Sequence, residues 1–194
     1  MPLIENIPGA TPIDDISDLI PSHITTRSEL NEWETTNVLK ATQKYLSERK
    51  ELIINIDWLK KIHKGMFDET WRWAGNFRQK NYNLGADWHD IPVQLKLLLD
   101  DLAFWEKEDK IKIIDRSVRL HHRLVKIHPF TNGNGRHARL VADIYLFNHN
   151  QKLPTWPGEQ LINEGDIREQ YISALKAADK GNYQPLEKFT MNLI

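Results

Sequence analysis

The sequence predicts an all-α domain, a bundle of helices with one small hairpin. Apolar residues recur at helical spacing in segment after segment from Thr26 onward, and no internal repeat or low-complexity tract breaks the pattern. Turn-forming residues gather in one aromatic-rich stretch, residues 71 to 92. At 194 residues the chain fits one domain with a short appendage. The appendage is residues 1 to 25, where Pro2, Pro8, Pro12 and Pro21 leave little periodicity and predict an irregular arm. Residues 26 to 194 form the domain.

The elements follow in order. "TRSE" is a capping box, with Thr26 as N-cap and Glu29 three residues on, and Leu30, Trp33, Val38, Ala41 and Tyr45 continue at helical spacing to about Arg49. A second helix lies in "NIDWLKKIHKGMF", with Asp57 as its cap and Leu59, Ile62 and Met66 on one face. Gly75, Asn81 and Gly85 then punctuate the turns and hairpin. Asp90, with Pro92 just inside, starts a helix whose Leu95, Leu98, Leu99, Leu102 and Trp105 form an apolar stripe. "IIDRSVRLHHRLVKI" and "LVADIYLFNHN" are two strongly apolar helical segments, and "IREQYISALKAADKGNY", stopping at Gly181, and "QPLEKFTMNLI" close the bundle.

Composition narrows the function. Lys and Arg number 26 and Asp and Glu 27, so no overall field draws the chain to nucleic acid or anionic membrane, and any phosphate must be held by a local site. The absence of cysteine excludes disulfides and thiolate metal sites. No basic n-region precedes an apolar run, and no stretch approaches the ~18 apolar residues of a membrane span, which predicts a soluble cytoplasmic protein. His121 and His122, adjacent on a helix, point about 100° apart and do not make a ligand pair. Trp71 and Trp73 read as packing, and Trp88 as a contact for a target.

"HPFTNGNGRHAR", residues 128 to 139, sits between the two apolar helices and is the stretch that carries chemistry. Pro129 disfavours helix at His128 and ends the first helix. Gly133 and Gly135 allow close approach to the main chain, and the start of the next helix offers amides and a positive dipole end to an anion. Arg136 and Arg139, three apart, lie on neighbouring positions where two guanidinium forks grip successive phosphates. Imidazole at His128, on the rim of that cradle, is suited to taking a proton from a hydroxyl that attacks phosphorus. Phe130 is expected to point into the core and pin the loop.

This stretch resembles the signature of the Fic family: a histidine, any residue, phenylalanine, any residue, an acidic residue, then Gly-Asn-Gly-Arg, two residues and a second arginine. "IHKGMFDETWRWAGNFR" (62 to 78) and "YISALKAADKGNYQPLEKF" (171 to 189) are similar to the family's segment before its flap and to its closing helices. The resemblance implies a helical bundle with a β-hairpin flap over residues 77 to 91, and transfer of AMP from ATP to a Ser, Thr or Tyr hydroxyl of a target protein. It makes His128 the general base, gives the α- and β-phosphates to Gly133, Asn134, Gly135 and Arg136 and the γ-phosphate to Arg139, and counts Asn132 among the nucleotide-binding residues. It also implies Mg²⁺ as cofactor, but Asn132 stands where the family has its metal-binding acid.

Family members with an N-terminal inhibitory helix carry a glutamate that pairs with the second motif arginine. Here the resemblance nominates Glu34, after Trp33, with Glu32 as rival, and an ion pair with Arg139. "ELNEWETTN" with "NGNGRHAR" further resembles the mobile mystery protein B subgroup of bacterial mobile elements, which implies a small helix-turn-helix partner. Two alternatives to transfer stand beside it: a hydrolase that removes AMP, with Glu34 positioning water, and a nucleotide-binding regulator of little activity owing to Asn132.

Overall fold

The structure, a computed structural model, describes residues 16–161 and 165–194, so the arm expected over residues 1 to 25 falls largely outside it. Seven α-helices follow in order: α1 Arg27–Tyr45, α2 Ile56–Phe67, α3 Ile91–Glu108, α4 Ile113–Ile127, α5 Asn134–Asn148, α6 Asp166–Asp179 and α7 Gln184–Met191. None of the described helices is long and apolar enough to cross a membrane.

The Thr26 capping box forms, with each side chain bonded to the other's backbone. α1 ends at Tyr45 rather than near Arg49, because the residues beyond are drawn elsewhere. Ser47 Oγ donates to the Lys44 carbonyl at 3.0 Å, Arg49 Nε to the Phe147 carbonyl at 2.9 Å, and the Lys50 amide to Asn148 Oδ1 at 2.7 Å. The cap of α2 is Asn55, whose Oδ1 accepts from the Trp58 amide at 2.8 Å; Asp57 instead lies in the first turn, where its charge suits the helix dipole.

The bundle is built around α5. From His137 through Leu146 every side chain of α5 is buried, the mark of a helix enclosed on all sides. α4 packs along it, and the main core gathers residues of α1, α2, α3, α4 and α5. A second core joins Val118 of α4 to Leu161, Tyr171, Ala174, Leu175, Ala178 and Leu186. The α4–α5 pair therefore stands between two apolar clusters, and the loop joining the pair is held from both sides.

The expected hairpin does not form as paired strands among the described residues. The only bridges there are single ones, Leu19 with Trp71 and Phe77 with Phe130. The cause is Arg78, which is buried and takes the carbonyls a partner strand would have used. Its guanidinium donates to the carbonyls of His128 (2.7 Å), Lys80 (2.8 Å) and Ala86. The backbone of the segment likewise pairs with the α4–α5 loop: the Arg78 amide with the Pro129 carbonyl (3.0 Å) and the Ala86 amide with that of Ile127 (3.2 Å).

Gly133, at the start of α5, is required by both conformation and space. Its φ is +76°, and a Cβ there would lie 2.4 Å from Phe67 Cζ. Gly133→Ala is expected to destabilise the fold by about 2–4 kcal/mol, from the left-handed backbone and the overpacking together, and a denaturant melt checks it.

The core also sets a pH dependence. His63, His121 and His137 are all but fully buried, and burial holds each below the ordinary histidine value of 6.5, to about 3 for His121 and about 4 for His137. The unfolded chain therefore binds more protons below about pH 6.5, and stability present above it is lost as the pH falls toward 4. Asp143, pushed up to about 7 by burial, acts in the opposite sense but is one group against three. The thermal midpoint should drop between about pH 6.5 and 4, and scanning calorimetry at a series of pH values reads this directly.

Candidate active site

α4 ends at His128, whose backbone is left-handed (φ 54°, ψ 59°). That conformation is unfavourable for a residue with a side chain. It is held by the Arg78 bond to the His128 carbonyl and by Gly85, where a Cβ would come within 2.6 Å of His128 Cβ. Phe130, 0% exposed, points inward as expected. Its ring stacks on His63 at 3.7 Å and 10°, with the edge of His137 against it at 4.9 Å. Asn134 closes the loop across its base. Its Oδ1 accepts from the Phe130 amide at 2.9 Å, and its Nδ2 donates to the Phe130 carbonyl at 2.8 Å.

The His128 ring donates to the Val125 carbonyl, which fixes one tautomer and leaves the other nitrogen as an acceptor. Burial, with the nearby Arg78 charge in the same direction, lowers its pKa to about 4. The imidazole is thus an unprotonated base throughout the neutral range.

Beyond Gly133 the first-turn amides of α5, residues 134 to 136, have no acceptor inside the helix. His128, Asn132, Gly133, Asn134, Gly135, Arg136, Arg139 and Glu34 all line one cleft of about 440 Å³. Every site residue read from the sequence is brought to it, while the rival Glu32 is exposed, its carboxylate accepting from Ser28 Oγ at 3.4 Å.

The arginines differ from the expectation. Glu34, 4% exposed, pairs with Arg136 at 2.7 Å and not with Arg139, and its other oxygen accepts from Trp71 Nε1 at 2.7 Å. Arg136 is steered there by the Phe67 ring, 4.8 Å from its guanidinium. Arg139 is kept away by α6. It bonds the Tyr171 hydroxyl and sits 5.8 Å from that ring and 5.7 Å from the Trp156 ring. The Asp143 carboxylate, one turn on, is in turn held by Trp156 Nε1, 3.0 Å from both oxygens.

The two asparagines of the motif are committed to the loop itself. Asn134 spends its side-chain amide on Phe130, so what it offers the cleft is backbone. Asn132 Oδ1 accepts from the Gly133 amide at 2.6 Å, and its carbonyl from His63 Nε2 at 3.0 Å. Among the described residues no group of three His, Cys, Asp or Glu is arranged to hold a metal ion. A hard divalent cation wants charged oxygens, and Asn132 offers one neutral oxygen already in use, so these residues do not fit a protein-held Mg²⁺.

Sequence reasoning missed Arg27, Lys126, Arg168, Tyr171, Lys176 and Asp179, which line the same cleft. They come from three separate helices, Arg27 from α1, Lys126 from α4 and the other four from α6, and only the packing of these helices brings them together. His121 and His122 each have a protein partner, the Tyr171 hydroxyl at 2.8 Å and Asp179 Oδ1 at 3.0 Å. Trp88 is half-buried, its ring 3.6 Å from that of His89, while Leu84 stands exposed at the mouth of the cleft.

Comparison with known proteins bears on this arrangement. Residues 53–146 match the Fic/DOC family. The protein adenylyltransferase Fic of Drosophila grimshawi is 30% identical over 119 residues, which is 60% of this chain and 23% of that protein. The Drosophila mojavensis protein of the same name is 29% identical over 119 residues, 60% of this chain and 22% of that one. The chain thus spans less than a quarter of these relatives' length. Among solved structures, BepC of Bartonella tribocorum with bound AMPPNP superposes with a TM-score of 0.70 at 20% identity, covering 91% of this chain and 92% of that one. The N-terminal Fic domain of a Bartonella quintana effector with bound ADP gives 0.69 at 20% identity, covering 93% and 92%. These structures share the all-α fold. Residues 53–146 thus match the Fic/DOC family, and the fold of the whole described chain is that of Fic-domain structures.

Proposed function

We propose that this chain is a protein adenylyltransferase that moves AMP from ATP to a Ser, Thr or Tyr hydroxyl of a target protein. The observation that carries the reading is the placing of His128, a neutral base of fixed tautomer, in the same cleft as the α5 amides and two motif arginines. With ATP in that cleft, His128 takes the hydroxyl proton as the oxygen attacks the α-phosphorus. The bond from that phosphorus to the bridging oxygen breaks and pyrophosphate leaves. The α5 amides and Arg136 stabilise the charge that develops on the phosphoryl oxygens. The relatives named protein adenylyltransferase support the same chemistry. Any Mg²⁺ enters on the nucleotide, and the exposed Leu84 beside the cleft is suited to touch the target.

Glu34 acts as a brake in this reading. Its carboxylate occupies Arg136, so the nucleotide's phosphates must compete for that guanidinium. Both Glu34 oxygens are already engaged, which favours a blocking role over the positioning of a hydrolytic water.

Glu34→Gln keeps an acceptor for Trp71 and removes the charge from Arg136. It should raise self-modification by AMP by about tenfold or more, a charge-assisted bond having been released. Intact mass after incubation with ATP and Mg²⁺ reads it, and adding His128→Ala should abolish the adduct. An adduct that survives His128→Ala would sink the assignment of the base. The pH dependence of kcat/KM gives a separate check. A base with its pKa at about 4 is active above that value, so no ionisation of His128 is expected near pH 6.5, and a limb there would place the base in open solvent.

A further inference from the structure

We infer that this cleft binds its polyphosphate without a divalent cation held by the protein, and that Arg168 on α6 is a third phosphate-binding arginine beside Arg136 and Arg139. The inference rests on the nucleotide reading above and concerns how the charge of the phosphates is met.

The first argument is the donor set. The carboxylates lining the cleft are Glu34 and Asp179, and both are engaged by cations or donors of the protein. Glu34 holds Arg136 and Trp71, while Asp179 accepts from His122 at 3.0 Å and lies 3.6 Å from Lys126. The oxygen of Asn132 faces its own neighbour's amide. The same walls carry Arg27, Lys126, Arg136, Arg139, Arg168 and Lys176. Among the described residues, six cations against two engaged carboxylates is a lining for an anion, and it gives a hard cation no uncommitted charged oxygen to bind.

The second argument places Arg168. Tyr171 is buried, and its hydroxyl lies 2.8 Å from His121 Nε2 and is bonded by Arg139 of α5. The charge of Arg168, one turn earlier on α6, acts on it as well. Arg168 NH1 donates to the Leu161 carbonyl at 2.7 Å, which holds the side chain against the cleft wall. Arg139 of α5 and Arg168 of α6 line the same cleft, and a phosphate bound there meets the charge of both. Guanidinium forks also match phosphate oxygens in geometry, so a trio of arginines supplies both charge and orientation.

The test is isothermal titration of the full chain, in wild-type and Glu34→Gln forms, with ATP and with AMP, in Mg²⁺ or in excess EDTA. ATP affinity should agree within about twofold between the two buffers. Arg168→Gln should weaken ATP by about tenfold or more and AMP by less than about twofold, since AMP lacks the outer phosphates. Asn132→Asp should make ATP binding depend on Mg²⁺. A tenfold loss of wild-type affinity in EDTA would overturn the metal-free mode, and an equal loss of ATP and AMP in Arg168→Gln would make that residue structural. Absence of binding by either nucleotide in both forms would instead remove the nucleotide reading itself, so the two failures are distinguishable.

Discussion

The stack of Phe130 on His63 holds the loop on which everything else in the cleft is arranged. His63 comes from α2, and its two nitrogens face different ways: Nδ1 accepts from the Gly75 amide at 3.0 Å and Nε2 donates to the Asn132 carbonyl at 3.0 Å. One buried ring thus ties a helix, the turn after it and the loop between α4 and α5. The arrangement works only with a neutral imidazole, since a protonated ring would have no acceptor for Gly75. Burial keeps the ring neutral by holding its pKa well below the ordinary value. With Phe130 pinned, His128 lies on one side of the loop and the α5 amides on the other, at a separation the chain cannot alter without moving the core.

A protein of net charge −1 places six of its 26 Lys and Arg residues along one cleft, and the two motif arginines are each held there by a partner. Arg136 has Glu34 and the face of Phe67, and Arg139 has the Tyr171 hydroxyl and two aromatic rings. Asp143 lends charge from one turn away, though burial pushes its carboxyl up to about 7. Aromatic faces and hydroxyls attract a guanidinium more weakly than a carboxylate does, so Arg139 is held in position while most of its charge stays available to a ligand. Arg136 is in the opposite condition, neutralised until something displaces Glu34.

What could be read from the sequence was what is local. The Thr26 capping box spans four positions and forms as written, the two apolar segments become α4 and α5, and the motif order alone brought seven residues to one cleft. The failures are contacts between distant parts of the chain. Arg78 reaches His128 across 50 residues and dissolves the expected hairpin, and Glu34 meets Arg136 across 102. Helical spacing suggested Trp33 as a core position, yet the buried face of α1 is Leu30, Glu34, Asn37 and Ala41. A glutamate and an asparagine on a buried stripe were the available sign that this helix covers a polar site, and hydrophobicity alone could not register it.

Glu34 has a double attachment, to Arg136 in the cleft and to Trp71 in the core, and Trp71 is itself buried and bridged to Leu19. With Glu34 as the proposed brake, regulation and durability share one side chain. A truncation such as Glu34→Ala, unlike Glu34→Gln, frees Arg136 and at the same moment leaves a buried indole N–H without its acceptor, at a cost of about 1–3 kcal/mol. In a cell, where marginally folded chains are removed, the unrestrained form would be the shorter-lived one, so excess activity and clearance rise together.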